Sequence, residues 1–413
     1  MSRMTRGNFL GLCAAACLVA ECGSVWSTVH ADQALPQVLP RLTIQHLAEL
    51  PADRAPVVTG VALSPDLQTL ATAGDDHIVR LWNLADGQLH HTLKSHTDWV
   101  RGTVFHPAGQ ILATAGDDRQ VRLWQVNDGQ LLKTLPAHPL AIRSVGFCPA
   151  GNELAAAGFA QDVRIYDVTT GNLNQQFAAA SEDLRAVAFS RDGSTLAAGG
   201  RDGRLQLWRL SPPSPGPVVI AHTRRLRAMA FSPSGAYLAT AGDDQQLQIW
   251  NLAAGMQANP QPIKITIRGS KIMALAWCGE KSLAAGGSDN LIHLFDTATQ
   301  SELAILRGHT GTIAALAADD AGRLLVSGSF DTTARVWNMD QILAGSTTAQ
   351  VSPRPAIVDP LEAPAGTTGV LPPGNSSFPP VNTGAGEGAF PEVPATSQGK
   401  TPPRQSRLPS AYK

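Results

Sequence analysis

Short apolar runs alternate with turn-forming residues along most of the chain. Runs such as QILATA, VRLW and LLKTL show the two-residue alternation of half-buried strands, and HPAG, GDD and NDG separate them as tight turns would. The pattern predicts about four short antiparallel strands in each stretch of roughly forty residues. Helical spacing of the apolar positions is absent, which indicates an all-β protein.

One phrase recurs at a fixed spacing. Residues 70–82 read LATAGDDHIVRLW and residues 112–124 read LATAGDDRQVRLW, so 11 of 13 letters agree across a separation of 42. Looser copies follow, each ending in an aromatic residue. The seven aromatic residues are Trp82, Trp124, Tyr166, Trp208, Trp250, Phe295 and Trp337, at intervals of 42, 42, 42, 42, 45 and 42. This period indicates seven copies of one structural unit.

Polar residues also recur at fixed positions within the unit. An aspartate stands six residues before the aromatic in every unit except the third, which has Ala160; the aspartates are Asp76, Asp118, Asp202, Asp244, Asp289 and Asp331. An aspartate in a tight turn accepts hydrogen bonds from backbone N–H groups that no strand pairs. In several units a histidine lies 28 residues before the aromatic and a hydroxyl residue ten before it. Together these side chains can form a hydrogen-bonded chain from indole N–H to carboxylate.

Three units hold the complete set of four network residues. The sets are His96, Thr114, Asp118, Trp124; His222, Thr240, Asp244, Trp250; and His309, Ser327, Asp331, Trp337. A hydroxyl, a histidine and an aspartate also suggest catalysis. An active site is needed once, however, whereas a network that stabilises the blade is needed in every unit. We therefore predict a structural role and no catalytic residues. Units three, four and six lack members; the replacements are Ala156 and Ala160, Ala180 and Ala198, and Arg268 and Ala285.

From about residue 42 to 340 these positions resemble the WD-repeat β-propeller family. The literal Trp-Asp pair never occurs, since the units end in WN, WQ, YD, WR, WN, FD and WN. The resemblance implies seven four-stranded blades around a central channel, with loop faces that bind partners. It also implies that the strand before each histidine, such as 90–93, forms the outer edge of the preceding blade.

The two ends of the repeat region carry separate predictions. The last unit lacks an outer strand after Trp337, and the run 42–50 stands at the offset that would supply it and close the ring. From about residue 345 to 413 the repeat pattern stops and Pro, Gly, Ser and Thr dominate. That composition cannot bury a core, so we expect a disordered tail.

Arginine recurs beside the first apolar position of the innermost strand in four consecutive units. These arginines are Arg101, Arg143, Arg185 and Arg227, each 42 residues from the last. The resemblance implies that they lie beside the channel mouth, together with the residues that precede the turn aspartates. The candidate partner-binding set adds Trp99, Arg225, Phe159, Phe330, Asp75, Asp117 and Asp243 to them.

Two interpretations of this arginine arc stay open. Arginine suits bidentate capture of carboxylates, so the arc could bind an acidic segment of a protein partner, with Trp99, Phe159 or Phe330 as apolar anchors. Alternatively, the nearby aspartates neutralise the arginines. The arginines two residues before the aromatic are expected to be solvated strand residues; they are Arg80, Arg122, Arg164 and Arg335.

Composition narrows the classes of function. The chain has 413 residues, 43% of them hydrophobic, and a formal net charge of −1. Such a balance gives no general reason to expect binding to nucleic acid or an anionic membrane surface. No spacing of ligands indicates a metal site, and no phosphate-binding loop indicates a nucleotide cofactor.

The first thirty residues have the layout of a secretory signal. Arg3 and Arg6 precede the apolar run 9–20, and Val29 and Ala31 place small side chains before a cleavage point. Twelve apolar residues are too few for a transmembrane span. We therefore expect residues 1–31 to direct export to the periplasm or the exterior of a bacterial envelope.

The sequence thus favours an exported, non-enzymatic scaffold that binds unknown protein partners on its loop face as a monomeric propeller within a complex. The alternative is an extracytoplasmic propeller enzyme or a small-ligand sensor. That alternative needs an unrepeated cluster of ionisable residues at the channel, and the arginine arc supplies no evident base or nucleophile.

Overall fold

The computed structural model describes residues 42–43, 55–252 and 261–348. Within these ranges the chain forms 28 strands and one helix. The elements are β1 (Leu42–Thr43), β2 (Val58–Leu63), β3 (Thr69–Gly74), β4 (Ile78–Asn83), β5 (Leu89–Lys94), β6 (Val100–Phe105), β7 (Ile111–Gly116), β8 (Val121–Gln125), β9 (Leu131–Thr134), β10 (Ile142–Phe147), β11 (Glu153–Gly158), β12 (Asp162–Asp167), β13 (Leu173–Ala178), β14 (Leu184–Phe189), β15 (Thr195–Gly200), β16 (Arg204–Leu210), β17 (Pro213–Ile220), β18 (Leu226–Phe231), β19 (Tyr237–Gly242), β20 (Gln246–Asn251), β21 (Ile263–Thr266), β22 (Ile272–Cys278), β23 (Ser282–Gly287), β24 (Ile292–Asp296), β25 (Glu302–Leu306), β26 (Ile313–Ala318), β27 (Leu324–Ser329), β28 (Thr333–Asn338) and α1 (Met339–Thr348).

The strands form seven antiparallel sheets of four, which we call blades one to seven. Each of the first six blades consists of four consecutive strands, from β2–β5 to β22–β25. The seventh contains β26, β27 and β28. This confirms the predicted all-β, seven-bladed propeller, and β5 shows that residues 90–93 lie in the outer strand of the preceding blade.

The blades form a closed ring through their innermost strands. Each innermost strand packs on that of the next blade, and β26 packs on β2. The core lies between neighbouring blades: Trp124 of blade two packs in one cluster with Leu81 of blade one. Burying such a ring removes about 150–250 Å² from water, which contributes roughly 4–6 kcal/mol before conformational entropy is subtracted.

The turn aspartates behave as their position predicts. In the six units that have one, a side-chain oxygen accepts a hydrogen bond from the backbone N–H two residues later, at 3.0–3.3 Å. The residue between adopts a left-handed conformation, with φ of 66° at His77 and 75° at Gly203. The aspartate therefore stabilises the turn between the second and third strands of its blade.

The seventh blade also pairs with residues from the beginning of the chain. Leu42 lies antiparallel to Ala334, and Thr43 to Thr333. Residues 44–50 lie outside the described residues, so closure of the ring by the whole run 42–50 stays a prediction.

Helix α1 is an element that the repeat pattern did not predict. The side chain of Asn338 accepts a hydrogen bond from the Gln341 N–H at 3.2 Å, which caps the helix start. Met339, Ile342 and Leu343 then pack on the apolar cluster of blades six and seven. Residues 345–348, which we expected in the tail, belong to this helix. The remaining tail residues, 349–413, and the predicted signal, 1–31, lie outside the described residues.

Cys148 and Cys278 are both buried and form no disulfide. None of the described residues belongs to a helix long and apolar enough to cross a membrane.

Candidate functional site

A β-bulge sets the direction of the arc arginines. In all seven blades the pairing of the innermost strand with the second strand skips the second residue of the innermost strand. In blades two to five that residue is Arg101, Arg143, Arg185 or Arg227, and elsewhere it is Thr59, Met273 or Ala314. A bulged residue is released from the ladder and its side chain is re-aimed. We call the end of the propeller that carries these bulges and the turn aspartates the top face.

The first ion-pair group of the arc joins blades two and three. Asp117 lies 3.0 Å from the Nη2 atom of Arg101 and 3.2 Å from the Nη1 atom of Arg143. Each of the three side chains is about one-fifth exposed or less. One carboxylate therefore bridges the arginines of two neighbouring blades.

The second ion-pair group joins blades four and five. Asp183 lies 2.7 Å from the Nε atom of Arg185, and Asp243 lies 2.8 Å from the Nε atom of Arg227. Arg225 lies between the two carboxylates, at 3.8 and 3.9 Å. Asp183 was missing from the predicted set, although it holds the same repeat position as Trp99 and Arg225 and could have been found there.

The predicted aromatic anchors differ in their surroundings. The guanidinium of Arg101 lies 4.2 Å from the ring centroid of Trp99. Phe159 contacts two guanidiniums, Arg143 at 4.5 Å and Arg185 at 5.1 Å. Phe330 is 42% exposed, but it belongs to blade seven, which does not adjoin the four blades of the arc. Two of the three anchors are therefore part of the arginine arc.

Asp75, the acidic residue of the set in blade one, accepts a hydrogen bond from the Val57 N–H at 2.8 Å. Among the described residues, the ion pairs of the five arginines of the set involve three carboxylates, from Asp117, Asp183 and Asp243. Neutralisation accounts for three of the five positive charges.

The predicted four-residue networks lie within blades two, five and seven. In blade two the Trp124 indole N–H donates to Thr114 at 2.8 Å, Thr114 Oγ1 lies 2.8 Å from His96 Nε2, and His96 Nδ1 lies 2.8 Å from Asp118. The matching distances are 2.9, 2.9 and 2.9 Å in blade five and 2.9, 2.7 and 2.9 Å in blade seven. The structure therefore brings each set together inside one blade.

The pKa shifts of the network side chains agree with a structural role for these networks. Burial lowers the pKa of His96, against the raising effect of Asp118. Burial alone would raise the pKa of Asp118, but hydrogen bonds from His96 and Arg122 outweigh it and hold that pKa well below its usual value. A neutral imidazole between a hydroxyl and a carboxylate then fixes the positions of all three side chains.

The expectation that the arginines two residues before the aromatic are solvated is wrong for blades one and two. Arg80 is 2% exposed and lies 2.6 Å from Asp76, and Arg122 is 7% exposed and lies 2.7 Å from Asp118. These arginines are four residues from their turn aspartates, and the hairpin brings the two together. They therefore extend the network rather than face solvent.

Blade three shows what happens when partners are missing. His138 is 2% exposed, and its Nε2 atom has no hydrogen-bond partner among the described residues. Ala156 and Ala160 stand where the complete blades have a hydroxyl residue and an aspartate. Burial, with a contribution from Arg164, lowers the pKa of His138 to about 4.

A cavity of about 490 Å³ opens on the top face between blades three and four. It is lined by Gln161, Ala180, Glu182, Arg201, Asp202 and Arg204. Ala180 stands where the complete blades have a histidine, so no imidazole fills this space. The residues that the structure describes hold no group of three His, Cys, Asp or Glu side chains that could bind a metal ion.

Seven four-stranded blades, a turn aspartate in six units and the hydroxyl–histidine–aspartate network define a β-propeller of the WD-repeat class. The chain matches the family model described as IFT122 first beta-propeller over residues 57–268, and the model described as WD domain, G-beta repeat over residues 300–338. The first match spans more than half of the chain, which therefore belongs to the family of the IFT122 first beta-propeller. Propellers of this kind are generally non-enzymatic protein-interaction scaffolds.

Proposed function

We propose that this protein is a scaffold whose top face binds an acidic segment of a protein partner through the arginine arc. The observation that carries the proposal is the unequal charge of the arc and the adjoining Arg225, where five guanidiniums share three carboxylates among the described residues. An approaching carboxylate gains from the unmatched charge and from forked N–H donors that the bulges already hold in position.

Pairing within the arc does not argue against this role. The shared aspartates order the arginine side chains in the free protein, so less conformational entropy is lost when a partner binds. The arginines are also only part-buried, with 15–28% of each side chain exposed, so a partner can reach them without unfolding the blades.

Crosslinking with mass spectrometry on the native envelope fraction tests this function. We expect the wild type to crosslink a partner through the top face, and the triple variant Arg101→Glu, Arg143→Glu, Arg185→Glu to lose that partner. A matched variant reverses three exposed arginines outside the arc, Arg209, Arg268 and Arg307, and should keep it. Retention of the partner by a folded arc variant would rule out the arc as its binding site.

We also propose that the protein is exported and acts in the bacterial envelope, as a single propeller within a complex. The support is the charge and apolar pattern of residues 1–31. Cell fractionation and amino-terminal sequencing of the mature protein test it, since export predicts a processed chain outside the cytoplasm. A full-length chain confined to the cytoplasm would contradict it.

The run 42–50 is further proposed to complete blade seven. The pairing of Leu42 and Thr43 with β28 supports this. Deleting residues 32–50 should lower the melting temperature or cause oligomerisation, because the outer edge of blade seven would be open. A deletion variant that stays monomeric with an unchanged melting temperature would exclude this closure.

A further inference from the structure

One repeat position supplies a bridging acid in blades two and five, but in blades three and four it is occupied by Phe159 and Arg201. In blades two to seven the residue at this position, which precedes the turn aspartate or Ala160, holds one backbone position, because its N–H donates to a carbonyl just before the innermost strand. This bond is 2.8 Å for Asp117, 2.9 Å for Phe159 and 2.9 Å for Asp243. Phe159 therefore stands at the position that Asp117 holds in blade two and Asp243 holds in blade five.

Among the described residues no carboxylate pairs with both Arg143 and Arg185, since Arg143 pairs with Asp117 and Arg185 pairs with Asp183. Asp117 bridges Arg101 and Arg143, but the next pair around the ring, Arg143 and Arg185, meets over the Phe159 ring. The two ion-pair groups of the arc end at this point. The Nε atom of Arg143 is buried and has no hydrogen-bond partner among the described residues.

The local electrostatics agree with an unmatched cation. Burial, together with the charges of Arg101 and Arg185, lowers the pKa of Arg143 to about 10, against the opposing effects of Asp117 and Asp183. A lowered pKa of an arginine means that its cationic form is penalised. A negative charge placed beside it removes part of that penalty.

We propose that an acidic segment of a protein partner places a carboxylate between Arg143 and Arg185, in the position of the aspartate that blade three lacks. This anchor rests on the proposed function of the arc and names its binding point. Phe159 holds the two guanidiniums apart and presents an apolar floor beneath the carboxylate.

The neighbouring cavity favours a peptide over a small anion. Gln161 lies two residues after Phe159, and Glu182 precedes Asp183, so the cavity lies next to the anchor. Its mixed lining of Arg201, Arg204, Glu182 and Asp202 offers hydrogen bonds to a peptide backbone as well as room for a flanking side chain.

A direct binding experiment uses a fluorescent hexaglutamate peptide, blocked at both ends, and the full chain. Anisotropy should show binding of this peptide but not of hexaglutamine, and acetate or inorganic phosphate at equal carboxylate or charge concentration should compete weakly. In NMR spectra the Nε–H signals of Arg143 and Arg185 should move most. Equal competition by acetate or phosphate would overturn the assignment to a peptide.

Phe159→Asp is the decisive variant because it supplies the missing bridging acid and keeps every arginine. We expect it to weaken hexaglutamate binding by about tenfold or more, and Arg143→Gln to do the same. Ser288→Asp introduces an acid at the same repeat position in blade six, outside the arc, and should change binding less than about twofold. The Arg143→Gln variant and the wild-type NMR titration also keep the test valid if Phe159→Asp does not fold.

Two results would overturn the anchor: undiminished binding by folded Phe159→Asp, or unmoved Arg143 and Arg185 signals in the wild type. If the partner still crosslinks through the arc and is lost in the triple glutamate variant, the proposed function stands and this anchor alone fails.

Discussion

Blades two and three have the same backbone and different polar interiors. In both, the second strand pairs in the same register with the strands on either side: Leu112 lies opposite Trp124 in blade two, and Leu154 lies opposite Tyr166 in blade three. Blade two holds the complete network of His96, whereas in blade three no described residue is a hydrogen-bond partner of the His138 Nε2 atom. Apolar packing of the aromatic ring therefore suffices to build a blade, and the polar network adds stability to it.

The comparison also explains where the candidate site lies. Blade three has Ala160 at the position of the turn aspartate and Phe159 just before it. Blade four has Ala180 in place of the network histidine. The arc anchor and the cavity both occur at the junction of these two blades. The missing network residues at this junction leave the space and the charge that the proposed partner would use.

The largest effect on stability should come from removing the aromatic side chain of blade two. Trp124→Ala deletes a side chain that is 2% exposed and leaves a cavity, so we expect a loss of about 3–5 kcal/mol in the free energy of unfolding. Chemical denaturation measures it, with Leu132→Ala at a 48% exposed position as the control. An unchanged denaturation midpoint would show that Trp124 does not hold its blade.

Acid should weaken the incomplete blade through His138. Its pKa is about 4 in the folded protein and near 6.5 in the unfolded chain, so between these values the unfolded state binds the extra proton. Stability should therefore fall as the pH drops from about 6.5 to 4, by about 2–3 kcal/mol. The free energy of unfolding of His138→Gln should depend less on pH over this range. Parallel profiles for the two proteins would contradict a buried neutral His138.

Restoring the missing aspartate should stabilise blade three. Ala160→Asp places a carboxylate where blade two has Asp118, within reach of His138 and Arg164, and should add about 1 kcal/mol of stability. The pKa of His138, followed by NMR, should rise. Ala160→Asn offers similar hydrogen bonds without the charge and should give a smaller gain. Destabilisation by both substitutions would mean that blade three no longer accommodates a polar group there.

The smallest effect concerns blade six, where His293 stands at the position of Arg80 and Arg122. Hydrogen bonds from His293 to Asp289 at 2.8 Å and to Glu302 at 2.5 Å raise its pKa, against the lowering effect of burial. The stability that they add is present below about pH 6.5 and is lost as the pH rises through the raised folded pKa.

Because Glu302 is 39% exposed, we expect the loss to be less than about 1 kcal/mol. His293→Arg keeps its charge and should abolish this pH dependence in denaturation experiments between pH 6 and 9. The same alkaline loss in the arginine variant would exclude His293 as the source.

Much of the fold and part of the site follow from the repeat alone. The Trp124 network could be predicted because its members lie within one unit, at fixed separations that a four-stranded antiparallel sheet brings together. The burial of Arg80 and the role of Asp183 were missed. Burial depends on the neighbouring side chains, and Asp183 has no acidic counterpart at its position in the other repeats to mark it as a partner of Arg185.

The sequence by itself determined the number of blades, their four-stranded make-up and the positions of the network residues, because a 42-residue period and a two-residue alternation act through local backbone geometry. Only the tertiary structure decided which charges meet. Asp117 bridges Arg101 and Arg143, Arg225 lies between Asp183 and Asp243, and Phe159 lies beneath two guanidiniums. Each of these groups includes a contact that crosses from one repeat to the next, Asp117 with Arg143, Asp183 with Arg225 and Phe159 with Arg185, and those contacts depend on how the closed ring sets neighbouring blades side by side.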